Sequence, residues 1–114
     1  MNYKVIENKK IKEFSFGPIK VKELLNDQAF ENFSLAKITL DGANDLAFNK
    51  KSDLIYYILD GDGEFIIENQ VFKVTAGDVV FIPKNTKCQD KGKMTLLAFS
   101  NPRFDPNNYE KVDR

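Results

Sequence analysis

The chain has 114 residues, 42% of them hydrophobic and 30% charged, with 17 Lys and Arg against 17 Asp and Glu, one cysteine and no histidine. That is enough chain for one buried core without disulfides or a structural metal. The charge balance argues against a phosphate-gripping nucleic-acid surface, the lone cysteine rules out an internal disulfide, and no apolar run reaches signal-peptide or transmembrane length. A single domain over residues 1–114 in a reducing, cytoplasmic setting is the expectation.

Ten Phe and four Tyr with no Trp suit β-structure, because flat side chains pack well on pleated surfaces. In chain order, YKVIE (3–7) reads as an opening strand. FSFGPIKVKELL follows, with Gly17-Pro18 dividing two short strands. In VKELLNDQAFENF, Val21, Leu24, Leu25 and Phe30 approach helical spacing, but Asn26 and Asp27 interrupt it, so a helical turn or a loop is predicted. FSLAKITL alternates, with Phe33, Leu35 and Lys37 on one side and Ser34, Ala36 and Ile38 on the other.

Short strands continue at LIYYIL, GEFIIE, VFKV, VVFIP and MTLLAFS, as in a sandwich or barrel. Turns are predicted at Asp60-Gly61-Asp62-Gly63, Glu68-Asn69-Gln70 and Ala76-Gly77-Asp78, where Gly and Asn tolerate positive φ. DGDGE superficially suggests a calcium loop, but its ligand set is too short and it reads as turn chemistry. The barrel core is placed at about 33–100. Residues 101–114, with Pro102 and Pro106, read as an extended strap anchored by Phe104 and Tyr109.

Two motif frames are preserved between Gly42 and Gly92. Gly42 opens the first and Gly61 closes it. The second keeps Gly77 and Pro83, with Asn85 where a second Gly would stand, then Cys88 and Gly92. On these residues the chain resembles the cupin family, and the resemblance implies an all-β jelly-roll barrel, also called a double-stranded β-helix. It also implies four inward metal-ligand positions, normally His, His, Glu and His. With a four-residue spacer those positions hold Ala47, Asn49, Leu54 and Cys88; with a three-residue spacer the first two become Phe48 and Lys50. The first alignment is preferred because NKKSDLIYYILDG is similar to members reading His-Lys-Lys-Ser-Asp-Glu before the same strand. Asp53 is expected to face away from an inward Leu54. With Ala and Leu at two positions and an amide at a third, no transition-metal site and no cofactor are expected.

The barrel-interior candidates are Asn49, Lys50, Tyr56 and Cys88. Cys88 is either a thiolate near Lys87 and Lys50, or a small residue filling vacated ligand space. Tyr56 shares the parity of Leu54 and Ile58, so its hydroxyl either orients a ligand or sits at the rim. Lys50, Lys51, Lys84, Lys87, Lys91 and Lys93 form a cationic mouth if their segments meet; otherwise they are solvated and offset by Asp53, Asp60, Asp62 and Asp90. Phe48, Phe65, Phe81 and Phe99 are taken as core. The expected function is metal-free binding of a small polar or anionic molecule in the barrel. The alternatives are a metal-independent acid–base enzyme drawing on Tyr56, Lys50, Asp53 or Cys88, and a structural barrel valued for pairing. A homodimer is expected, with no nucleic-acid or membrane partner; no catalytic residue is assigned.

Overall fold

Alternating apolar and polar side chains carry nine antiparallel strands in the computed structural model, which describes residues 3–112. They are β1 (Phe14–Phe16), β2 (Ile19–Leu25), β3 (Ser34–Ala43), β4 (Ala47–Asn49), β5 (Asp53–Ile67), β6 (Gln70–Thr75), β7 (Val79–Ile82), β8 (Cys88–Asn101) and β9 (Tyr109–Lys111). β8 is the hub. It pairs with β3 on one side and β5 on the other, and touches β4 at Cys88. β5 also carries β7 on its first half and β6 on its second. The result is the curled sheet of an all-β jelly-roll barrel. Among the described residues no helix is long and apolar enough to cross a membrane.

Several local expectations change. Residues 3–7 form no strand; they lead into a 3-10 turn at Asn8–Lys10, with Tyr3 and Val5 exposed. An extended segment without a sheet edge to bond has nothing to offset the entropy of ordering it. The ambiguous segment 21–33 is strand to Leu25 and then a turn, in which Asp27 Oδ1 accepts from the Ala29 N–H at 2.8 Å.

The hairpin expected at Asp60–Gly63 is not a turn at all. β5 runs straight through it, with a one-residue bulge at Leu59 where the register passes from Ile58↔Leu96 to Asp60↔Thr95. The glycines serve close approach instead: a Cβ on Gly61 would lie 2.2 Å from the Lys93 carbonyl oxygen, and one on Gly92 would lie 2.6 Å from Gly63 Cα. The turns after β5 and β6 do occur as read, using positive φ at Glu68, Asn69 and Gly77. Asn85 also takes a positive φ, of 64°, in the glycine position of the second motif frame.

The bulge decides which side chains face inward. Before it, Leu54, Tyr56 and Ile58 stand opposite Ser100, Ala98 and Leu96; after it, Phe65 and Ile67 stand opposite Asp90 and Cys88. Directly opposed residues share a face, so the inward parity of β5 switches from even to odd while that of β8 stays even. Leu40, Ile58, Phe65, Val80, Ile82, Met94 and Leu96 form the buried core, each contributing about 1.5–3 kcal/mol where a large side chain is fully buried. Phe65 belongs to it as expected. Phe81 does not: its register partner is Ile55, on the outer face, and it is 58% exposed. Phe48 and Phe99 are half-buried, with Phe99 packed on Phe33 at 5.5 Å between ring centres.

After β8 the chain returns along the barrel. The Phe104 N–H donates to Ser34 Oγ at 2.8 Å, Arg103 donates to Asn26 Oδ1 and pairs with Glu31, and β9 adds to β4 through Phe48↔Glu110 and Asn49↔Tyr109. Phe104 and Tyr109 pack together at 6.1 Å.

Candidate functional site

One end of the barrel is hollow because the residues facing it are small. Across β3, β8 and β5 the rows run Ser34, Ser100, Leu54 and Ala36, Ala98, Tyr56, whereas the next row is Ile38, Leu96, Ile58. Paired Ser and paired Ala leave the volume that Ile and Leu fill one row further on. A cavity of about 620 Å³ results, a size suited to a small organic ligand. The tail closes one side of it with Phe104, Pro106 and Tyr109.

All four positions that correspond to metal ligands face this cavity: Ala47, Asn49, Leu54 and Cys88. Ala47 and Cys88 are direct register partners. The donor set does not fit the metal ion that the resemblance implies. Ala47 and Leu54 offer no donor atom. Asn49 Oδ1 already accepts from the Lys51 and Ser52 N–H groups at 3.0 and 2.7 Å. Burial pushes the Cys88 thiol up to about 12, with the Asp90 carboxylate adding to the shift, so it stays protonated at neutral pH. Among the described residues no group of three or more His, Cys, Asp or Glu is placed to hold a metal ion.

What the positions do present is hydrogen-bonding capacity. Asn49 is only 4% exposed, and its Nδ2 is buried with no partner. Because its oxygen is fixed by the turn that follows β4, the amide cannot flip to hide the NH₂ group. Tyr56 lines the cavity as its parity required and packs on Phe65 at 5.3 Å; burial, then the nearby Asp90 and Cys88, hold its phenol well above the ordinary range. Tyr109 is pushed up to about 12 mainly by burial, then by Asp90. Three X–H donors therefore line one space in their neutral forms.

Asp90 is the residue that sequence reasoning missed. It was counted among the surface counter-charges to the lysines, yet it lies on the inward parity of β8 two residues from Cys88 and lines the cavity. Asn44 holds it twice: Asn44 Nδ2 donates to Asp90 Oδ1 at 3.0 Å, and the Asn44 N–H donates to the Asp90 carbonyl at 2.9 Å. Desolvation raises its pKa against the lowering effect of Asn44. The available signal was the shared parity of Cys88 and Asp90, which the Gln-Asp-Lys context concealed.

Lys50 is not in the cavity. The turn capped by Asn49 directs it outward, and Lys51, Lys84, Lys87, Lys91 and Lys93 are likewise exposed, with none lining the cavity. Lys91 and Lys93 instead border an open groove at the other end of the barrel with Asp41, Asp62 and Glu64, and Lys91 pairs with Glu64 at 3.9 Å. Asp53 faces away as expected, its Oδ1 accepting from the Lys84 N–H at 2.9 Å. The cationic mouth is thus replaced by surface lysines.

Residues 26–101 match the family model for the cupin domain of mannose-6-phosphate isomerase. The uncharacterized protein MJ1618 of Methanocaldococcus jannaschii is 31% identical over 101 residues, covering 82% of this chain and 81% of that protein. Among solved structures, Pac13 of Streptomyces, a nucleoside dehydratase, superposes with a TM-score of 0.87 at 20% identity over 98% of this chain and 92% of its own. KdgF of Halomonas gives 0.81 at 16% identity, over 93% and 99%. Ectoine synthase of P. lautus gives 0.77 at 16%, over 99% and 91%. At these identities the structural likeness speaks for the fold alone.

Proposed function

Since the chain belongs to the family of the mannose-6-phosphate isomerase cupin domain, we propose that its barrel cavity binds a small polar organic molecule without a chelated metal. One observation carries this reading. Asn49 Nδ2 is a buried donor with no partner, on a side chain in the wall of a cavity of about 620 Å³. A buried N–H left unpaired costs roughly 1–3 kcal/mol, and a ligand oxygen placed there recovers it. The same cavity argues against the reading of a filled, purely structural barrel.

Calorimetry and thermal-shift screening of polyols, sugars, amines and nucleosides (uridine among them, given the Pac13 complexes) test the proposal. An Ala98→Phe variant places a ring in the small-residue row and is expected to abolish any binding seen with the wild type. Binding that survives the plug would overturn the reading, as would a blank screen.

Acid–base turnover is the second reading, favoured by Asp90 standing among phenols held neutral. For the outer surface, a second copy of this chain is the proposed partner. Phe81, Ile55 and Phe99 make one apolar row across β7, β5 and β8, and Val79, Tyr57 and Leu97 make the next. Among the described residues β7 pairs only with β5, and the zero net charge of the chain sets up no repulsion between copies.

A further inference from the structure

The ionisable groups lining the cavity are unbalanced. Among the described residues Glu23, Asp45 and Asp90 line it, against one cation, Lys111, and Lys111 is already paired with Asp45 at 3.1 Å. Asp90 has no lysine or arginine partner among the described residues, although its side chain is largely withdrawn from water. A buried carboxylate without a counter-ion is costly, yet this one is held in place by Asn44, whose own carbonyl accepts from Gln89 Nε2 at 2.8 Å. Aromatic side chains share the cavity with it. Phe65 is its direct register partner, Tyr56 packs against Phe65 with the rings tilted by 46°, and Phe48, Phe104 and Tyr109 also line the wall. A carboxylate in a cavity lined by aromatic side chains is an environment that stabilises an organic cation, through charge and through attraction to the π-systems.

We propose that the molecule bound in this cavity is a small organic ammonium ion carrying an oxygen, its charge met by Asp90 and its oxygen by Asn49 Nδ2. This rests on the binding reading above and narrows it to amino alcohols and related amines. It reverses the expectation of an anionic ligand, which depended on lysines that lie outside the cavity. The upward displacement of the Asp90 pKa agrees with it, since the carboxylate lacks the positive neighbour that a bound ammonium supplies. The other titratable groups around Asp90 are Tyr56, Cys88 and Tyr109, all protonated at neutral pH, with Glu23 and the Asp45–Lys111 pair on the walls.

The test is isothermal titration of the full chain near neutral pH with three probes of one shape: choline, its uncharged isostere 3,3-dimethylbutan-1-ol, and the anion 3,3-dimethylbutanoate. A second pair, 4-aminobutan-1-ol and pentan-1-ol, repeats the contrast for a primary amine. The cations are expected to bind about tenfold or more tightly than their neutral partners, in line with a desolvated charge-assisted contact. Asp90→Asn, which keeps the oxygen that Asn44 holds, is expected to reduce that preference to about twofold or less. Acidification that protonates Asp90 is expected to weaken only the cations. Neutral or anionic probes binding as tightly as the cations, or a preference that survives Asp90→Asn, would overturn the ammonium assignment and leave the binding reading intact. Blank titrations with every probe, joined to a blank polyol and sugar screen, would sink both.

Discussion

Two neighbouring inner rows of this barrel lie on the same three strands, β3, β8 and β5, in one unbroken register, and only one of them is filled. In the filled row Ile38, Leu96 and Ile58 meet across β3, β8 and β5; one row away Ala36, Ala98 and Tyr56 occupy the equivalent places. Backbone geometry is shared, so the cavity comes from side-chain volume alone. A fold recognised by its strands therefore carries no information about whether its centre is open.

Matched substitutions sharpen that contrast. Leu96→Ala removes a side chain that is fully buried in the filled row, and a loss of about 2–5 kcal/mol is expected in urea unfolding. Ala98→Leu adds comparable volume at the hollow end and is expected to change stability by less than about 1 kcal/mol, because the added methyls enter existing space. Equal penalties at the two sites would mean that the rows are packed alike and the hollow closes in solution.

Asp90→Asn probes the electrostatics of the hollow end. Burial raises the folded carboxyl above its ordinary value of 3.8, so the folded chain holds this proton more firmly than the unfolded chain does. The stabilising contribution is complete below the unfolded value and is lost as pH rises through the folded one. Relative to wild type, Asp90→Asn is expected to raise Tm by a few degrees near neutral pH, on the order of 1 kcal/mol. The gain should shrink toward pH 4 in differential scanning calorimetry. No gain at neutral pH would show that the Asp90 carboxylate is solvated.

The smallest effect on folding is expected on the outer face. Phe81→Ser alters a side chain that is 58% exposed, so monomer stability should move by no more than about 0.5 kcal/mol. If the apolar rows pair two copies, sedimentation should shift from dimer to monomer. A wild-type chain that sediments as a monomer at all concentrations would remove the second copy as the partner of this face.

Much of the fold was legible because it rests on local rules. Alternation located most strands, positive-φ residues marked the turns at Glu68-Asn69 and Gly77, and the motif frame placed Ala47, Asn49, Leu54 and Cys88 on one inner surface. Local rules failed where a distant strand decided the matter. DGDG reads as a turn until β8 is known to pass within contact of its glycines. YKVIE reads as a strand until it is seen to lack an edge. Phe81 reads as core until its pairing with Ile55 turns it outward. Asp90 and Lys50 exchanged places for a like reason: Asp90 was assigned by its lysine neighbours and Lys50 by its nearness to the ligand positions of the motif, while facing was set by parity on β8 and by the turn after β4.

The sequence by itself determined the strand periodicity, the jelly-roll frame and the absence of histidine from the ligand positions, since those depend on residue type and spacing along one segment. Only the tertiary structure decided that the centre is hollow and acidic rather than cationic. That outcome depends on which small residues meet across strands more than sixty positions apart (Ala36 beside Ala98) and on a bulge that sets the facing of everything after it, and neither is encoded within a single strand.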